Sequence, residues 1–324
     1  MQPSVSVVIP VRNEPDAIRA AVQSILDQTY PEITEIIIAD GMSTDQTRQA
    51  IESFVDGRIT VLDNAATSTP AGLNCAIRAA TGEIIVRCDA HSVLPPDYVA
   101  LAVDIMRDTG AVNVGGIQRA TGTGFIDTAI ALAMSSRLGV GNASFHYGAG
   151  PGPTDTVYLG VFDRMAVERA GLFDESLIRN QDYELNIRLR QAGGIVQFDP
   201  RLAVEYRPRS SLAALARQYF QYGSWKRVVH RLHPGSVRLR QLAAPGLVIA
   251  LAASGGLAFT SWWRLALVVP LLYLVALVVT TIVTAIKTRR SAVVLMPAAI
   301  ATMHLSWGFG YLSGLRPGEP ATPA

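Results

Sequence analysis

The sequence predicts an α/β domain on a mostly parallel sheet, followed by apolar helices that cross a membrane. Three observations predict it. Short β-branched runs alternate with helical periodicity over residues 1–210, charge thins abruptly beyond Leu242, and three uncharged runs follow. The chain has 324 residues, of which 17% are charged, against about 25% in an ordinary soluble domain. Its net charge of +2 gives no support for a nucleic-acid binder held by a basic surface. Cys75 and Cys88 provide neither a disulfide framework nor a zinc site, and they fit a reducing compartment.

The elements follow in order. Val5-Ser6-Val7-Val8-Ile9 opens the first strand, and Pro15–Asp27 carries Ala17, Ile18, Ala21, Val22 and Ile25 at helical spacing. Ile36-Ile37-Ile38-Ala39 reads as a strand buried on both faces. A helix from Thr44 or Asp45 to Phe54 comes next, then a strand at Ile59–Leu62 and a helix at Pro70–Ala80 with proline near its start. Glu83–Cys88 is a strand, Pro96–Asp108 a helix and Ala111–Val114 a strand. This rhythm gives a parallel sheet with helices on both faces, and ligands bind at the carboxyl ends of its strands. The Gly- and Pro-rich segment Gly139–Gly160 reads as an active-site loop or a surface connector. Asp155–Gly160 leads out of it as the floor of an acceptor pocket. Gln181–Gln191 is a helix stopped by Gly193-Gly194, and Leu212–Leu232 is amphipathic, with Tyr219, Phe220, Tyr222 and Trp225 as anchors at a membrane face.

Leu242–Trp263 and Leu265–Ile286 contain no charged residue, and Ser291–Leu315 contains only His304 as an ionisable group. Each exceeds the ~20 residues that a helix needs to cross a bilayer core. The predicted organisation is a domain at 1–210, an interfacial segment at 211–241, three spans (242–263, 265–286, 291–315) and a tail at 316–324. Lys226, Arg227, Arg231, Arg238 and Arg240 precede the first span; Lys287, Arg289 and Arg290 separate the second from the third. By the positive-inside rule the N-terminal domain faces the cytoplasm, in a multi-pass inner-membrane protein. Met1–Asn13 lacks a basic n-region, so the membrane is reached from the C-terminal side. The spans can pack within one chain or between chains. With almost no ionisable residue in them, they offer no polar path for a transporter.

Three strand ends present polar groups to one crevice: Pro10-Val11-Arg12-Asn13-Glu14, Asp40-Gly41-Met42-Ser43-Thr44-Asp45 and Asp89-Ala90-His91. Neither a G-x-G-x-x-G fingerprint nor a P-loop is present. Asp40 before glycine also suits a turn, and Asp45 a helix N-cap. Asp89 and His91, two apart on an extended segment, point the same way and can share a divalent ion, Mn²⁺ or Mg²⁺, with the imidazole tilting the choice toward Mn²⁺. Asp182, at the start of its helix, can serve as a base, or can simply favour the helix dipole.

These segments resemble the opening motifs of family 2 glycosyltransferases of the GT-A fold. The resemblance continues through Asp174-Glu175, Asn180-Gln181-Asp182-Tyr183-Glu184 and Gly193-Gly194 to the basic stretch near Arg227. It implies that Pro10, Arg12, Glu14 and Asp40 line the pocket for base and ribose, with Gly72 nearby. It also places Asp89, Ala90 and His91 at the Asp-x-Asp position that holds ribose and metal, His91 standing where a second Asp is usual. Asp182 would be the base, in a Gln181-Asp182 pair where Glu-Asp is usual. Gln221-Tyr222-Gly223-Ser224-Trp225 resembles the Gln-x-x-Arg-Trp element of membrane-associated members, with Ser224 in place of Arg and Lys226 and Arg227 following. That element meets the donor diphosphate or the acceptor.

The resulting expectation is a membrane transferase that moves a hexose from a nucleotide-diphosphate sugar, UDP favoured, to a polyprenyl-diphosphate-linked saccharide. One base with no separate nucleophile implies single displacement and inversion at the anomeric carbon. The alternatives are a transferase acting on polyprenyl monophosphate and a non-catalytic membrane scaffold with a nucleotide-binding fold.

Overall fold

The computed structural model describes residues 2–141 and 150–314. The tail and residues 142–149 of the glycine-rich segment lie outside the described residues. The chain forms two compact units, one of residues 2–118 and 150–205, the other of residues 119–141 and 206–314. The expected boundary at residue 210 is therefore crossed: residues 119–141 group with the C-terminal helices.

In the first unit the strands are β1 (Val5–Val11), β2 (Ile33–Asp40), β3 (Ile59–Asp63), β4 (Ile84–Arg87), β5 (Asn113–Ala120), β6 (Gly152–Pro153), β7 (Tyr158–Asp163) and β8 (Val196–Tyr206). They form one sheet in the order β3-β2-β1-β4-β7-β5-β8-β6. The β3-β2-β1-β4 half is parallel, with Val7 opposite both Ile36 and Val86. Beyond β4 the sheet is mixed, because β7 runs antiparallel to β4 and β5, and β6 to β8. Gly116 makes this half close-packed: a Cβ there would lie 1.7 Å from the Leu202 carbonyl oxygen. Only glycine allows that approach.

Helix α1 (Pro15–Leu26) starts on proline, and α2 (Thr47–Glu52) begins later than the periodicity predicts. The reason is local: the Asp45 carboxylate accepts from the Thr47 N–H at 2.9 Å and the Thr47 hydroxyl at 2.6 Å, which turns the chain before the helix can start. Then come α3 (Thr69–Ala79), N-capped by Ser68, and α4 (Tyr98–Thr109), closed by Gly110 at φ +66°. Val7 and Ile9 of β1 join one apolar cluster with α1 and α4, while Val8 joins the other with α3. That is the period-2 alternation of a strand covered on both faces. Each fully buried aliphatic side chain contributes about 1.5–3 kcal/mol, so the apolar strands fix the direction of every strand end.

The second unit is helical: α5 (Phe125–Met134) and α6 (Arg137–Val140), and, after α7 (Arg164–Arg169) and α8 (Gln181–Gln191) of the first unit, α9 (Leu212–Leu232), α10 (Leu239–Leu257), α11 (Trp263–Ala266), α12 (Val268–Thr288) and α13 (Met296–Ser313). Among the described residues two helical stretches, Trp263–Thr288 and Ser291–Ser313, are long and apolar enough to cross a membrane. Along the first, Leu272, Val275, Val279, Ile282 and Ile286 are exposed as lipid-facing residues would be. The run expected as the first span instead forms α10, which starts at Leu239 between Arg238 and Arg240 and stops at Leu257 after Gly255-Gly256.

Helix α9 packs tightly on α13. A Cβ on Gly223 would lie 2.0 Å from the Trp307 carbonyl oxygen, and one on Gly310 would lie 2.0 Å from that of Phe220. Small residues let the two backbones meet. Tyr219 and Trp225, expected as membrane anchors, are consequently buried, while Phe220 is exposed. His304, the ionisable group of the last span, is satisfied at both ring nitrogens, by Tyr273 Oη at 3.0 Å and the Leu138 carbonyl at 2.9 Å.

Candidate active site

The β1 and β2 strand ends lie side by side, Val11 opposite Asp40, and the loops that follow are zipped together. The Asn13 N–H donates to Ser43 Oγ at 2.9 Å, the Thr44 N–H to Asn13 Oδ1 at 2.9 Å, and the Glu14 N–H to Thr47 Oγ1 at 2.8 Å. Asn13 and Met42 take left-handed backbone angles to close this turn. Asp40 is 2% exposed and accepts from the Ser43 N–H at 3.1 Å, with Arg48 Nη1 3.8 Å from its other oxygen. Pro10 and Gly72 are neighbours: a Cβ on Gly72 would lie 3.3 Å from Pro10 Cβ and 2.9 Å from Asn64 Nδ2. The exposed Arg12 lays its stem against Gly41. Pro10, Arg12, Asp40 and Gly72 are thus gathered around one pair of strand ends.

Asp89 and His91 follow β4. His91 Nδ1 lies 3.8 Å from Glu14 Oε2, so the β1 and β4 ends share one acidic rim. Burial raises the pKa of Glu14; His91 opposes that and Asp89 adds to it. Burial also works against ionisation of Asp89, but the Arg87 charge, His91 and the Arg87 hydrogen bond outweigh it, and the carboxyl titrates below its ordinary value. Between Asp89 and His91, the Ala90 side chain is buried in the apolar cluster with α1 and α4.

Among the described residues no three His, Cys, Asp or Glu side chains enclose a metal position. One carboxylate and one imidazole still fit a hard divalent ion, because such ions keep waters and take substrate phosphates as their remaining ligands. The donor set suits a site completed by substrate rather than a protein cage.

Asp182 stands in the first turn of α8, after Asn180 at φ +61°. The helix is fixed from its other turns. Arg188 holds Glu184 through two bonds of 2.7 and 2.6 Å and donates to the carbonyls of Ala170 and Leu172. Buried Asn186 accepts from Asn113 Nδ2 at 2.6 Å and donates to Thr156 Oγ1 at 3.0 Å.

Asp182 and Asp89 meet at Arg87, the last residue of β4. Arg87 Nε donates to Asp89 Oδ1 at 2.8 Å, and Nη1 donates to Asp182 Oδ1. Burial raises the pKa of Asp182, the Arg87 charge and hydrogen bond oppose the rise, and the negative charge of Asp89 reinforces it. The carboxyl is 40% exposed, so solvent tempers the shift. The arrangement offers a solvent-reachable carboxylate with a raised affinity for protons, beside a second acid that stays ionised. Such a pair can take a proton from a hydroxyl while the neighbour holds charge elsewhere.

The sequence reading missed Arg87. Its signal is an arginine closing the otherwise apolar run Ile84-Ile85-Val86, since a cation in a buried strand requires acidic partners.

The candidate residues of α9 lie in the second unit. Gln221 is half-buried, Trp225 and Lys226 are buried, and Ser224 donates to the Gly310 carbonyl at 3.0 Å. Arg227 is held within the second unit. Its guanidinium donates to the carbonyls of Tyr311, at 3.1 Å, and Leu312, and so caps the C-terminus of α13. Neighbouring His230 bonds Tyr311 Oη at 3.0 Å and Gln241 Oε1 at 3.1 Å. Burial and the charge of Lys226 lower its pKa to about 4, against the Gln241 bond, so it is neutral at pH 7.

The family model described as glycosyl transferase family 2 matches residues 6–167. The succinoglycan biosynthesis protein ExoA of Rhizobium meliloti (strain 1021) is 31% identical over 94% of this chain and 93% of its own length. An Escherichia coli protein, the UDP-Glc:alpha-D-GlcNAc-diphosphoundecaprenol beta-1,3-glucosyltransferase WfaP, is 42% identical over 26% of this chain and 34% of its own. Among solved structures, the Pyrobaculum calidifontis mannosyltransferase PcManGT, determined with GDP-Man and Mn²⁺, aligns with a TM-score of 0.61. It is 23% identical and covers 94% of this chain and 86% of that one. The likeness assigns the GT-A type of fold.

Proposed function

The chain belongs to glycosyl transferase family 2, and on that premise we propose that it moves a hexose from a UDP-linked donor to a saccharide hydroxyl on a polyprenyl diphosphate carrier. The reaction serves cell-surface polysaccharide synthesis at the cytoplasmic face of a membrane. The observation that carries this reading is the convergence of Asp89 and Asp182, from separate segments, on Arg87 at the end of β4. The activity named for the E. coli relative supports a UDP-sugar donor and a diphosphate-linked lipid acceptor. The name of the R. meliloti relative supports a polysaccharide product. The two apolar helices support attachment to a membrane.

Pro10, Arg12, Glu14, Asp40 and Gly72 are assigned to the nucleotide, with Asp89 at the ribose and diphosphate. Asp89 and His91 would hold a divalent cation, Mn²⁺ or Mg²⁺, whose chemistry is to offset the charge that gathers on the diphosphate. Asp182 takes the proton of the acceptor hydroxyl. The freed oxygen bonds to the anomeric carbon, the bond from that carbon to the diphosphate oxygen breaks, and its electron pair leaves with UDP. A single displacement inverts the anomeric configuration.

The test uses the full-length protein in nanodiscs with UDP-hexoses and an undecaprenyl-diphosphate-linked sugar. UDP release should depend on the lipid acceptor, and NMR of the product should show the anomeric configuration opposite to the donor's. Retained configuration, or release indifferent to the acceptor, overturns the proposal.

A further inference from the structure

Arg87 is an expensive residue to place where it is. Its side chain is 7% exposed at the end of a strand whose other residues, Ile84, Ile85 and Val86, are buried and apolar. Removing a guanidinium from water costs several kcal/mol unless partners compensate, so its bonds define what it does there. Nε is bonded to Asp89 and Nη1 to Asp182, two different nitrogens of one rigid plane committed to two different acids. The ring of Phe173 lies 6.0 Å from Arg87 Cζ. The backbone that carries that ring is held in turn by Asn74, which donates to the Phe173 carbonyl and accepts from its N–H, both at 2.9 Å. The guanidinium is therefore braced, while Asp182 reaches solvent and Arg87 does not.

We infer that Arg87 is a positioning residue, a buried strut that sets where the proton acceptor Asp182 stands relative to the donor-side acid Asp89. The inference rests on the transferase reading above, but its geometry does not. Lysine would keep the charge. As a single point donor on a flexible stem, however, it cannot span two carboxylates as a planar fork does. A base misplaced by about 1 Å costs on the order of 10²-fold in rate. Because the lysine charge stays beside Asp89, two residues along the chain, the strut predicts a loss in the chemical step, at Asp182, with donor binding preserved.

The experiment compares wild type, Arg87→Lys, Asp182→Asn and the double variant in nanodiscs, with the UDP-hexose and lipid acceptor that support transfer. Arg87→Lys should lower kcat about 10²-fold, leave the donor KM within about threefold, and leave calorimetric binding of UDP with Mn²⁺ unchanged. In the Asp182→Asn background the same replacement should cost less than about threefold, because residues that act through one another are not additive. Unchanged kcat in Arg87→Lys, a loss confined to KM, or an equal loss in both backgrounds overturns the inference. A crystal structure of Arg87→Lys supplies a readout independent of turnover: Asp182 should leave its place, and an undisplaced carboxylate refutes the strut. If wild type transfers from no donor while Asp182 is displaced, the functional reading fails and the strut stands. If Arg87→Lys does not fold, Arg87→Gln takes its place, retaining a planar donor without the charge.

Discussion

Replacing Asp182 by asparagine isolates its proposed part in the reaction. Asparagine is nearly isosteric and keeps an oxygen to accept from Arg87 Nη1, so the first turn of α8 has no steric reason to move. The carboxylate is 40% exposed, which limits the effect on stability. What disappears is the proton acceptor. General-base catalysis by a positioned side chain is worth about 10²–10⁴-fold, or roughly 3–5 kcal/mol of barrier at 1.36 kcal/mol per decade. Asp89, Glu14, His91 and Asp40 remain, and one negative charge near the donor diphosphate is removed, so the donor KM should stay level or fall.

The pH profile supplies a second sign. Burial and Asp89 raise the pKa of Asp182 above its ordinary 3.8 despite Arg87. The base works ionised, so the wild-type rate should fall with acid along a limb centred above 3.8. The asparagine variant should lose that limb. The assay is UDP release coupled to lipid-linked product. An Asp182→Asn enzyme that keeps more than about a tenth of wild-type kcat, or keeps the acid limb, refutes the assignment.

Further outcomes follow from the same geometry. Asn186→Ala should cost about 1–3 kcal/mol in urea unfolding, because it strips the fully buried Asn113 amide of its partner at 2.6 Å. Gly310→Leu should disrupt the second unit, since its Cβ would lie 2.0 Å from the Phe220 carbonyl oxygen. Gly255→Ala, with nothing within 4 Å, should be neutral or slightly stabilising by thermal unfolding in detergent. Chelation with EDTA should weaken UDP binding at least tenfold by calorimetry, and His91→Asp should move the preference from Mn²⁺ toward Mg²⁺; equal binding with and without chelator would count against a cation at Asp89 and His91.

The parallel half of the sheet was legible because its signals are local. Ile36-Ile37-Ile38-Ala39 is apolar at consecutive positions, which only burial on both faces explains. The helix over Gln181–Gln191 and that over Leu212–Leu232 could be delimited from periodicity and stop signals. The antiparallel β7 was not legible. Nothing in Tyr-Leu-Gly-Val-Phe-Asp records which way its partners run, because pairing is decided by residues far away in the chain. The aromatics of α9 misled for a related reason. Tyr219 and Trp225 have the composition of membrane anchors, but both are buried, Tyr219 in a cluster with Met296, Ala299, Ile300 and Met303 of α13, and that contact is non-local.

The site was legible to the extent that topology alone determines it. Strand ends of a parallel sheet must share one edge, so Glu14, Asp40, Asp89 and His91 could be grouped before any distance was known. The sequence could not show that these acids are already engaged. Asp40 takes the Ser43 N–H and has Arg48 beside it, while Asp89 and Asp182 divide Arg87 between them. Electrostatics makes some such cation necessary. At Asp89 and Asp182 burial works against ionisation, and the positive charge of Arg87 opposes it at both. An arginine that closes an apolar strand two residues before a ligand acid is where such charge can enter with its stem already buried. A charged residue that breaks a buried strand pattern beside an acid therefore belongs among the candidate site residues from the outset.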